Sequence, residues 1–252
     1  MKKIILSSIC ASLLTLSVQA DIIGAEAGVS MWSASTSGSY KGSKLGDTTI
    51  DVSNDLGYGS KSTNNFFWVY IDHPVPLLPN IKIQQTNFTD NSSKLLNKTI
   101  KFDNKTYTAN SNIKSELTLN QTDIIAYWRI LDNWVNFDLG LNLKSIDGNV
   151  KIEDTNAQNN TNKSFKATVP MLYIKARFDL PLSGLSIEAD ASTISYSGNK
   201  FTDVKAGLVY QTSFGLGANI GIRNEQILID NIDNFNSDLK ISGAYLGMFY
   251  HF

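Results

Sequence analysis

The stretch AYLGMFYHF, residues 244–252, alternates apolar side chains along an extended chain. One side of such a strand carries Ala244, Leu246, Met248, Tyr250 and Phe252. Because side chains point alternately to the two faces of a β-strand, these residues form one continuous apolar face. A soluble edge strand with such a face would promote aggregation, whereas a strand that faces lipid and closes a barrel would not. The stretch therefore favours a transmembrane barrel.

The same alternation recurs along the chain and is clearest in WVNFDLGLNLKS, residues 134–145. Val135, Phe137, Leu139, Leu141 and Leu143 oppose Asn136, Asp138, Gly140, Asn142 and Lys144. Period-two patterning predicts strands, and no stretch shows convincing helical spacing. The predicted strands are about 22–35, 64–73, 80–90, 114–131, 134–149, 164–180, 184–197, 200–212, 215–229 and 238–252.

The predicted connections differ in length. Those at 73–79, 131–133, 181–184 and 211–214 are short, whereas 36–63, 91–113, 150–163 and 230–237 are longer and polar, and 196–199 is a short exception. This asymmetry is typical of bacterial outer-membrane barrels, with short periplasmic turns and long extracellular loops. We predict an all-β, transmembrane, antiparallel up-and-down β-barrel of about ten strands. Eight is the alternative if the weak segments 64–73 and 80–90 are not strands, and part of 95–108 is predicted to form a projecting hairpin.

The composition and the N-terminal residues restrict where in the cell the protein is expected. The chain has 252 residues, a net charge of -1 and a mean hydropathy of -0.13, so it lacks the basic character of a nucleic-acid-binding protein. Residues 1–20 match a cleavable signal peptide, with Lys2 and Lys3, an apolar core and the small-residue site Val18-Gln19-Ala20. We expect export to the outer membrane, and a barrel domain over 21–252. The only cysteine, Cys10, lies inside the predicted signal peptide.

A resemblance supports this architecture. The signal peptide, the alternating strands and the terminal Tyr-x-Phe are similar to Gram-negative outer-membrane β-barrel proteins. The segments AYWRILDNWVNFDLGLNLKSIDG (126–148) and PMLYIKARFDLPLSGLSIEADAS (170–192) resemble a family of small outer-membrane proteins of undefined function. The resemblance implies that Met248, Tyr250 and Phe252 form a signal read by the barrel-assembly machinery.

Two groups of side chains have predicted roles in such a barrel. Trp128, Trp134, Phe178 and Phe214 lie near short turns and are predicted to form an aromatic girdle at the membrane interface, with ordinary core aromatics as the alternative. Charges of both signs fall on the predicted lumen faces: Glu26, Asp123, Arg129, Asp138, Lys144, Lys175, Arg177, Asp179, Glu188, Asp190, Asp203, Lys205 and Arg223. Because unpaired charge in a confined interior is costly, we expect these groups to pair across strands. They predict either a plugged polar core or a narrow conduit for ions and small solutes.

Catalysis, metals and cofactors are not expected. The omptin proteases resemble this chain in strand number and use an extracellular His–Asp pair, and lipid-modifying barrels use Ser and His. The two histidines here, His73 and His251, are predicted at the periplasmic rim. Asp230, Asp233 and Asp238 share a predicted loop that we interpret as a solvated acidic loop rather than a calcium site. The expected function is a structural or narrow-channel barrel in contact with outer-membrane lipids. A surface protein that binds an extracellular ligand through its Asn/Ser/Thr-rich loops is the first alternative, and a lipase or protease the second.

Overall fold

The computed structural model describes residues 24–252 except 43, 45, 76, 156–158, 233 and 234. The predicted signal peptide therefore lies outside the described residues. No helix in the described part of the chain is long and apolar enough to cross a membrane.

The described chain folds into thirteen β-strands. They are β1 (Gly24–Lys41), β2 (Thr49–Asp51), β3 (Ser62–Asp72), β4 (Asn80–Leu95), β5 (Ile100–Phe102), β6 (Lys105–Tyr107), β7 (Asn112–Asp132), β8 (Val135–Asp154), β9 (Asn160–Leu180), β10 (Leu185–Tyr196), β11 (Asn199–Gln211), β12 (Leu216–Ile232) and β13 (Phe235–His251). β5 and β6 pair only with each other, which confirms the hairpin predicted within 95–108. The three-residue strand β2 pairs antiparallel with the last residues of β1.

The other ten strands form one antiparallel barrel. Each pairs with its neighbour along the chain, and β4 pairs with β7 across the β5–β6 hairpin. β13 pairs with β1 from Glu26↔His251 to Lys41↔Asn236, which closes the sheet on itself. The all-β barrel of ten strands is thus confirmed, and the weak segments 64–73 and 80–90 are β3 and β4.

The two faces of the wall differ as the alternation predicts. On β8, Leu139, Leu141 and Leu143 point outward, and Leu141 is 57% exposed. On the same strand Asp138, Asn142 and Lys144 are buried in the interior. An exposed apolar belt that runs round a whole molecule is not compatible with a soluble monomer. It matches the apolar band, about 25 Å tall, of membrane barrels.

The barrel has two unlike ends. One end, here called the short-turn end, carries the connections 73–79, 133–134, 181–184 and 212–215 together with Gly24 and Phe252. The opposite end, here called the cap end, carries the long connections 42–61 and 96–111. The turn between β10 and β11 is also at the cap end but is tight, because Ser197 and Gly198 both have positive φ, as a two-residue hairpin requires.

Aromatic rings fit inside the barrel because glycines face them on the neighbouring strand. A Cβ added at Gly28 would collide with the Trp68 ring, and one at Gly217 would collide with the Phe249 ring. Gly148 stands in the same relation to Phe165. Each pair joins directly opposite residues of adjacent strands, so the ring lies flat over the backbone of its partner.

The strands extend further at the cap end than the sequence predicts. The segment 150–163, predicted as a polar loop, is mostly the end of β8 and the start of β9. β1, β4 and β13 are also longer there than predicted. Asn and Lys are poor strand formers, and cross-strand pairing overrides that preference. For example, Asn149 Nδ2 donates to Asn162 Oδ1 at 2.6 Å and to Ser164 Oγ at 2.9 Å.

We predict that Leu141→Arg destabilises the barrel in a bilayer by about 2–4 kcal/mol, because it places a cation at the middle of the apolar band. Ser145→Arg is the matched control, since Ser145 lies further along the same outward row, beyond Leu143. Urea titration of protein folded into vesicles measures both effects. Equal effects of the two substitutions would contradict a lipid-facing exterior.

Candidate functional site

The interior is crossed by a buried ion cluster, here called the central cluster, made of Asp123, Lys144, Asp203, Arg223 and Glu225. Lys144 Nζ lies 3.0 Å from Asp123 Oδ1 and 3.1 Å from Asp203 Oδ2. Arg223 Nη2 lies 2.8 Å from Asp203 Oδ2 and 2.7 Å from Glu225 Oε1. These residues come from β7, β8, β11 and β12. The cluster therefore ties together strands that are not neighbours in the wall.

Neutral side chains complete the hydrogen bonding of the central cluster. Gln121 Nε2 donates to Glu225 Oε2 at 2.9 Å, and Gln121 Oε1 accepts from Lys144 Nζ at 2.8 Å. Arg223 Nη1 donates to Thr86 Oγ1 at 3.0 Å. Because β7 and β12 stand on opposite sides of the ten-strand ring, the bond from Gln121 to Glu225 spans the lumen.

Aromatic rings fill the space around the guanidinium. Arg223 Cζ lies 4.7 Å from the Trp32 ring centroid and 5.0 Å from that of Phe66. Phe88 packs on Trp32 at a centroid distance of 5.6 Å. Stacked rings stabilise a desolvated cation and also remove the volume that water would need. Trp32 and Arg223 are among the largest fully buried side chains of the described chain.

A second buried group lies next to the central cluster and contains Lys82, Gln84, Asp190 and Lys205. Lys205 Nζ donates to Gln84 Oε1 at 2.7 Å and lies 3.4 Å from Asp190 Oδ2. Lys82 Nζ lies 3.7 Å from the same carboxylate oxygen and 4.7 Å from the Tyr70 ring centroid. This group joins β4 to β10 and β11 across the interior.

The remaining predicted lumen charges lie nearer the short-turn end and, except for the buried Asp138, are partly exposed. Lys175 pairs with Glu188 at 3.1 Å, and Arg177 with Asp179 at 2.8 Å. Arg129 lies between Asp138 and Asp72, at 3.3 Å and 3.0 Å. Glu26 accepts from Trp68 Nε1 at 3.0 Å. Each of the predicted lumen charges is thus next to a group of opposite charge or a hydrogen-bond donor.

The space left between these side chains is small. A cavity of about 30 Å³ lies between Glu26, Lys82, Arg177, Glu188 and Asp190. A cavity needs about 10–15 Å³ of such volume to hold one water molecule. It therefore has room for one or two waters and is lined by both signs of charge.

Two connections at the cap end fold over the barrel and form a unit here called the cap, residues 46–61 and 96–111. Its interior is apolar and fully buried, with Ile50, Leu56, Leu96, Ile100 and Tyr107. Lys98 Nζ lies 2.8 Å from Asp55 Oδ2, which links the two connections. Tyr107 Oη donates to Thr161 Oγ1 at 2.7 Å, which fixes the cap to β9. The cap covers the lumen on this side.

Asp51 begins a turn of the cap, where its side chain accepts backbone N–H bonds from Asn54 at 2.8 Å and Ser53 at 3.0 Å. The bond from Asn54 is the main influence on the carboxyl and lowers its pKa, because hydrogen bonds to the charged form favour it. Asp90, on the inward row of β4, accepts from Thr36 Oγ1 at 2.7 Å.

The structure places both histidines at the short-turn end. His73 Nε2 lies 3.0 Å from the Pro79 carbonyl oxygen, and Val75 N–H donates to His73 Nδ1 at 3.2 Å. His251 Nδ1 lies 3.8 Å from Glu26 Oε2. The His73 ring therefore stabilises its own turn by hydrogen bonds. Both histidine rings lie at the opposite end of the barrel from the cap.

The aromatic residues singled out from the sequence also lie at the short-turn end. Trp128, Trp134, Phe178 and Phe214 are exposed on the outside. Trp134 packs edge-on against Phe178 at 5.0 Å, and Tyr250 against Phe252 at 4.8 Å. Met248 and Tyr250 face outward on β13. These positions suit a membrane-interface girdle and a terminal strand available to another protein, and both roles stay predictions.

Sequence reasoning missed several members of the interior. Lys82, Gln84 and Thr86 share the inward row of β4, and Glu225 shares a face with Arg223. The signal was present in KIQQT, residues 82–86, where Ile83 alternates with polar neighbours. Asp72, at the end of β3, was also missed. Of the predicted acidic loop, Asp233 lies outside the described residues, and Asp238 accepts from Gln226 at 3.2 Å.

Comparison with solved structures finds outer-membrane barrels of Gram-negative bacteria. The outer-membrane protease OmpT of Escherichia coli is similar with a TM-score of 0.59 and 11% identity, covering 94% of this chain and 99% of that one. The translocator domain of autotransporter NalP from Neisseria meningitidis gives 0.44 and 11%, covering 100% and 96%. The attachment invasion locus protein Ail of Yersinia pestis gives 0.38 and 13%, covering 90% and 99%.

No protein-family model matches the sequence, and a search of the curated proteins finds no match. The likeness to OmpT shows a shared fold and does not extend to activity. The chain thus has the fold of a Gram-negative outer-membrane β-barrel.

We predict that Lys144→Met destabilises the barrel by about 3–5 kcal/mol, because it leaves Asp123, Asp203 and Glu225 buried with Arg223 alone. Lys151→Met is the matched control, since the Lys151–Glu153 pair is exposed on the outer surface. Denaturant midpoints in detergent micelles report both changes. A Lys144→Met midpoint equal to that of Lys151→Met would show that the central cluster is not held in the desolvated interior.

Proposed function

We propose that the chain is an integral outer-membrane β-barrel with a closed lumen, whose role is structural rather than that of a diffusion channel. The observation that supports this most directly is the central cluster, whose hydrogen bonds span the lumen among fully buried side chains. The apolar outer belt and the fold shared with OmpT support the membrane location.

Ion conduction would require the interior to open. Breaking one buried pair of the central cluster costs about 3–5 kcal/mol, so spontaneous opening through it is rare. Both signs of charge line the remaining cavity, whereas a selective pore carries an excess of one sign. Between the central cluster and the cap end of the barrel, the cap adds a second barrier to ion passage.

Assembly and partners follow from the same architecture. The outward rows contact outer-membrane lipids, and Met248, Tyr250 and Phe252 on β13 are the surface offered to the barrel-assembly machinery. Residues 1–20 direct export. The short-turn end then faces the periplasm, and the cap end faces the cell exterior, as is usual for such barrels.

The proposed role includes no catalysis. OmpT is a protease, but this chain keeps both histidines at the short-turn end, where His73 is used in its turn. An extracellular site would therefore have no imidazole as a base. His73→Ala and His251→Ala are expected to leave unchanged any lipase or protease activity found in the purified protein.

Surface binding is the second candidate, and one observation favours it. Residues 162–168 of β9 are exposed on both faces, unlike the alternating pattern of the same strand nearer the membrane. An ordered strand that is exposed on both faces at the cell exterior is available to other molecules.

We predict that the wild-type protein gives no conductance steps in planar bilayers at any accessible voltage. The variant Trp32→Ala/Arg223→Ala removes two of the largest buried side chains and frees Asp203 and Glu225, so it should show cation-selective steps. Heat-modifiable gel mobility confirms that both proteins are folded barrels. Reproducible steps from the wild type would overturn the closed lumen in favour of the narrow conduit.

A further inference from the structure

The barrel wall is incomplete on one side at the cap end. β9 pairs with β8 up to Glu153↔Asn160, but it pairs with β10 only from Leu185↔Leu180 to Thr193↔Leu172. The β10–β11 hairpin turns back at Ser197 and Gly198, so residues 160–171 of β9 have a partner strand on one side alone. The backbone N–H and C=O groups of this edge are the pairing template that sheets normally cover.

The edge lies outside the apolar band. Its outward side chains Asn162, Ser164, Lys166 and Thr168 are polar, whereas Leu172 and Ile174, further down the strand, belong to the lipid-facing row. On the membrane side, Pro170 ends the stretch of β9 that can form edge hydrogen bonds, because proline has no N–H to donate. Residues 160–169 are therefore an edge in contact with water.

The edge is held in an extended shape before anything binds it. β8 pairs with its whole length on one side. The cap supports its upper part, since Tyr107 bonds to Thr161, Lys105 Nζ donates to the Asn160 carbonyl, and Lys163 pairs with Asp103 at 3.0 Å. A preordered edge lowers the entropic cost of adding a strand.

The opening beside the edge is as wide as two strands. Nearer the membrane, β10 and β11 fill the space between β9 and β12, and neighbouring strands lie about 4.8 Å apart. Above the β10–β11 turn no strand of the described residues occupies these two positions. The inward-facing side chains Phe165 and Ala167 are exposed there, which gives an apolar row beneath the opening.

We propose that residues 160–169 of β9 bind an extended polypeptide segment by β-strand addition, with alternate apolar residues of that segment facing Phe165 and Ala167. Backbone hydrogen bonds select a polypeptide, since other ligands do not repeat a donor and an acceptor at strand spacing. Lys163 and Lys166 on this segment are already paired, with Asp103 and with Asp147 at 3.0 Å each, so the apolar row rather than charge selects the partner.

A second copy of the chain does not fit this edge. Two barrels in one membrane have the same orientation, so their β9 strands run in the same direction. A β9–β9 pair would therefore be parallel, which is less stable per residue than the antiparallel pairing used throughout this barrel. The partner is therefore a segment of another polypeptide at the cell exterior. This inference depends on the surface-binding candidate and is independent of the closed lumen, so conductance of the wild type would leave it standing.

A tethered peptide tests the inference without knowledge of the natural partner. The variant Tyr196→Cys, at an exposed position beside the opening, is coupled in nanodiscs to a peptide of alternating valine and glutamate as long as 160–169. A short flexible tether raises the local concentration to about the millimolar range. Hydrogen–deuterium exchange then follows the amides of β9.

The expected result is that every second amide from 162 to 168 exchanges roughly tenfold more slowly with the peptide attached, because only alternate N–H groups face the open edge. A peptide N-methylated at every residue keeps the side chains but cannot pair through either edge, so it should give no protection. The same valine–glutamate peptide tethered at Ser213→Cys, on the short-turn end, should also leave β9 unchanged.

Three results would overturn strand addition at this edge. These are slow exchange of all edge amides in the free protein, equal protection by the N-methylated peptide, and no protection by the valine–glutamate peptide. A serine–glutamate peptide that protects as well as the valine–glutamate one would overturn the apolar match to Phe165 and Ala167. Heat-modifiable mobility of each conjugate confirms that the barrel is folded, so absence of protection cannot come from unfolding.

Discussion

The absence of water in a lipid bilayer is the constraint on which this structure depends. A backbone N–H or C=O without a partner has nothing else to bond there, so the membrane-embedded part of a sheet must close on itself. The pairing of β13 with β1 meets this requirement and fixes which face of every strand is outside. Period-two alternation then follows, because each strand contacts lipid on one face and the interior on the other.

Closure creates a second problem, since ten inward faces meet in a narrow space. Cations and carboxylates on those faces either stay hydrated in a pore or pair with each other. Here Lys144 contacts three carboxylates and Arg223 contacts two, and rings such as Trp32 occupy the space between. The same interior volume can hold either a water-filled passage or paired side chains. In this barrel it is filled by paired side chains.

The wall could be predicted from the sequence, but the interior could be predicted only in part. Rows such as Val135 to Leu143 need no knowledge of other strands, because each row has the same environment, lipid. Contacts in the lumen join distant parts of the chain: Lys205 and Gln84 are separated by 121 residues. Their partners depend on barrel shear and diameter, which alternation does not encode. Composition misled at 150–163, where polar residues sit in strands that extend into water.

The pairs of a glycine and an aromatic ring have a consequence for assembly. A slip of two residues would place Glu26 or Ser30, instead of Gly28, opposite Trp68, and Ile146 or Val150, instead of Gly148, opposite Phe165. A slip by two residues keeps the lipid-facing pattern intact, so hydrophobicity alone does not penalise it. The misaligned ring would, however, meet a side chain where it needs bare backbone. Such pairs therefore disfavour an incorrect strand register while the barrel assembles.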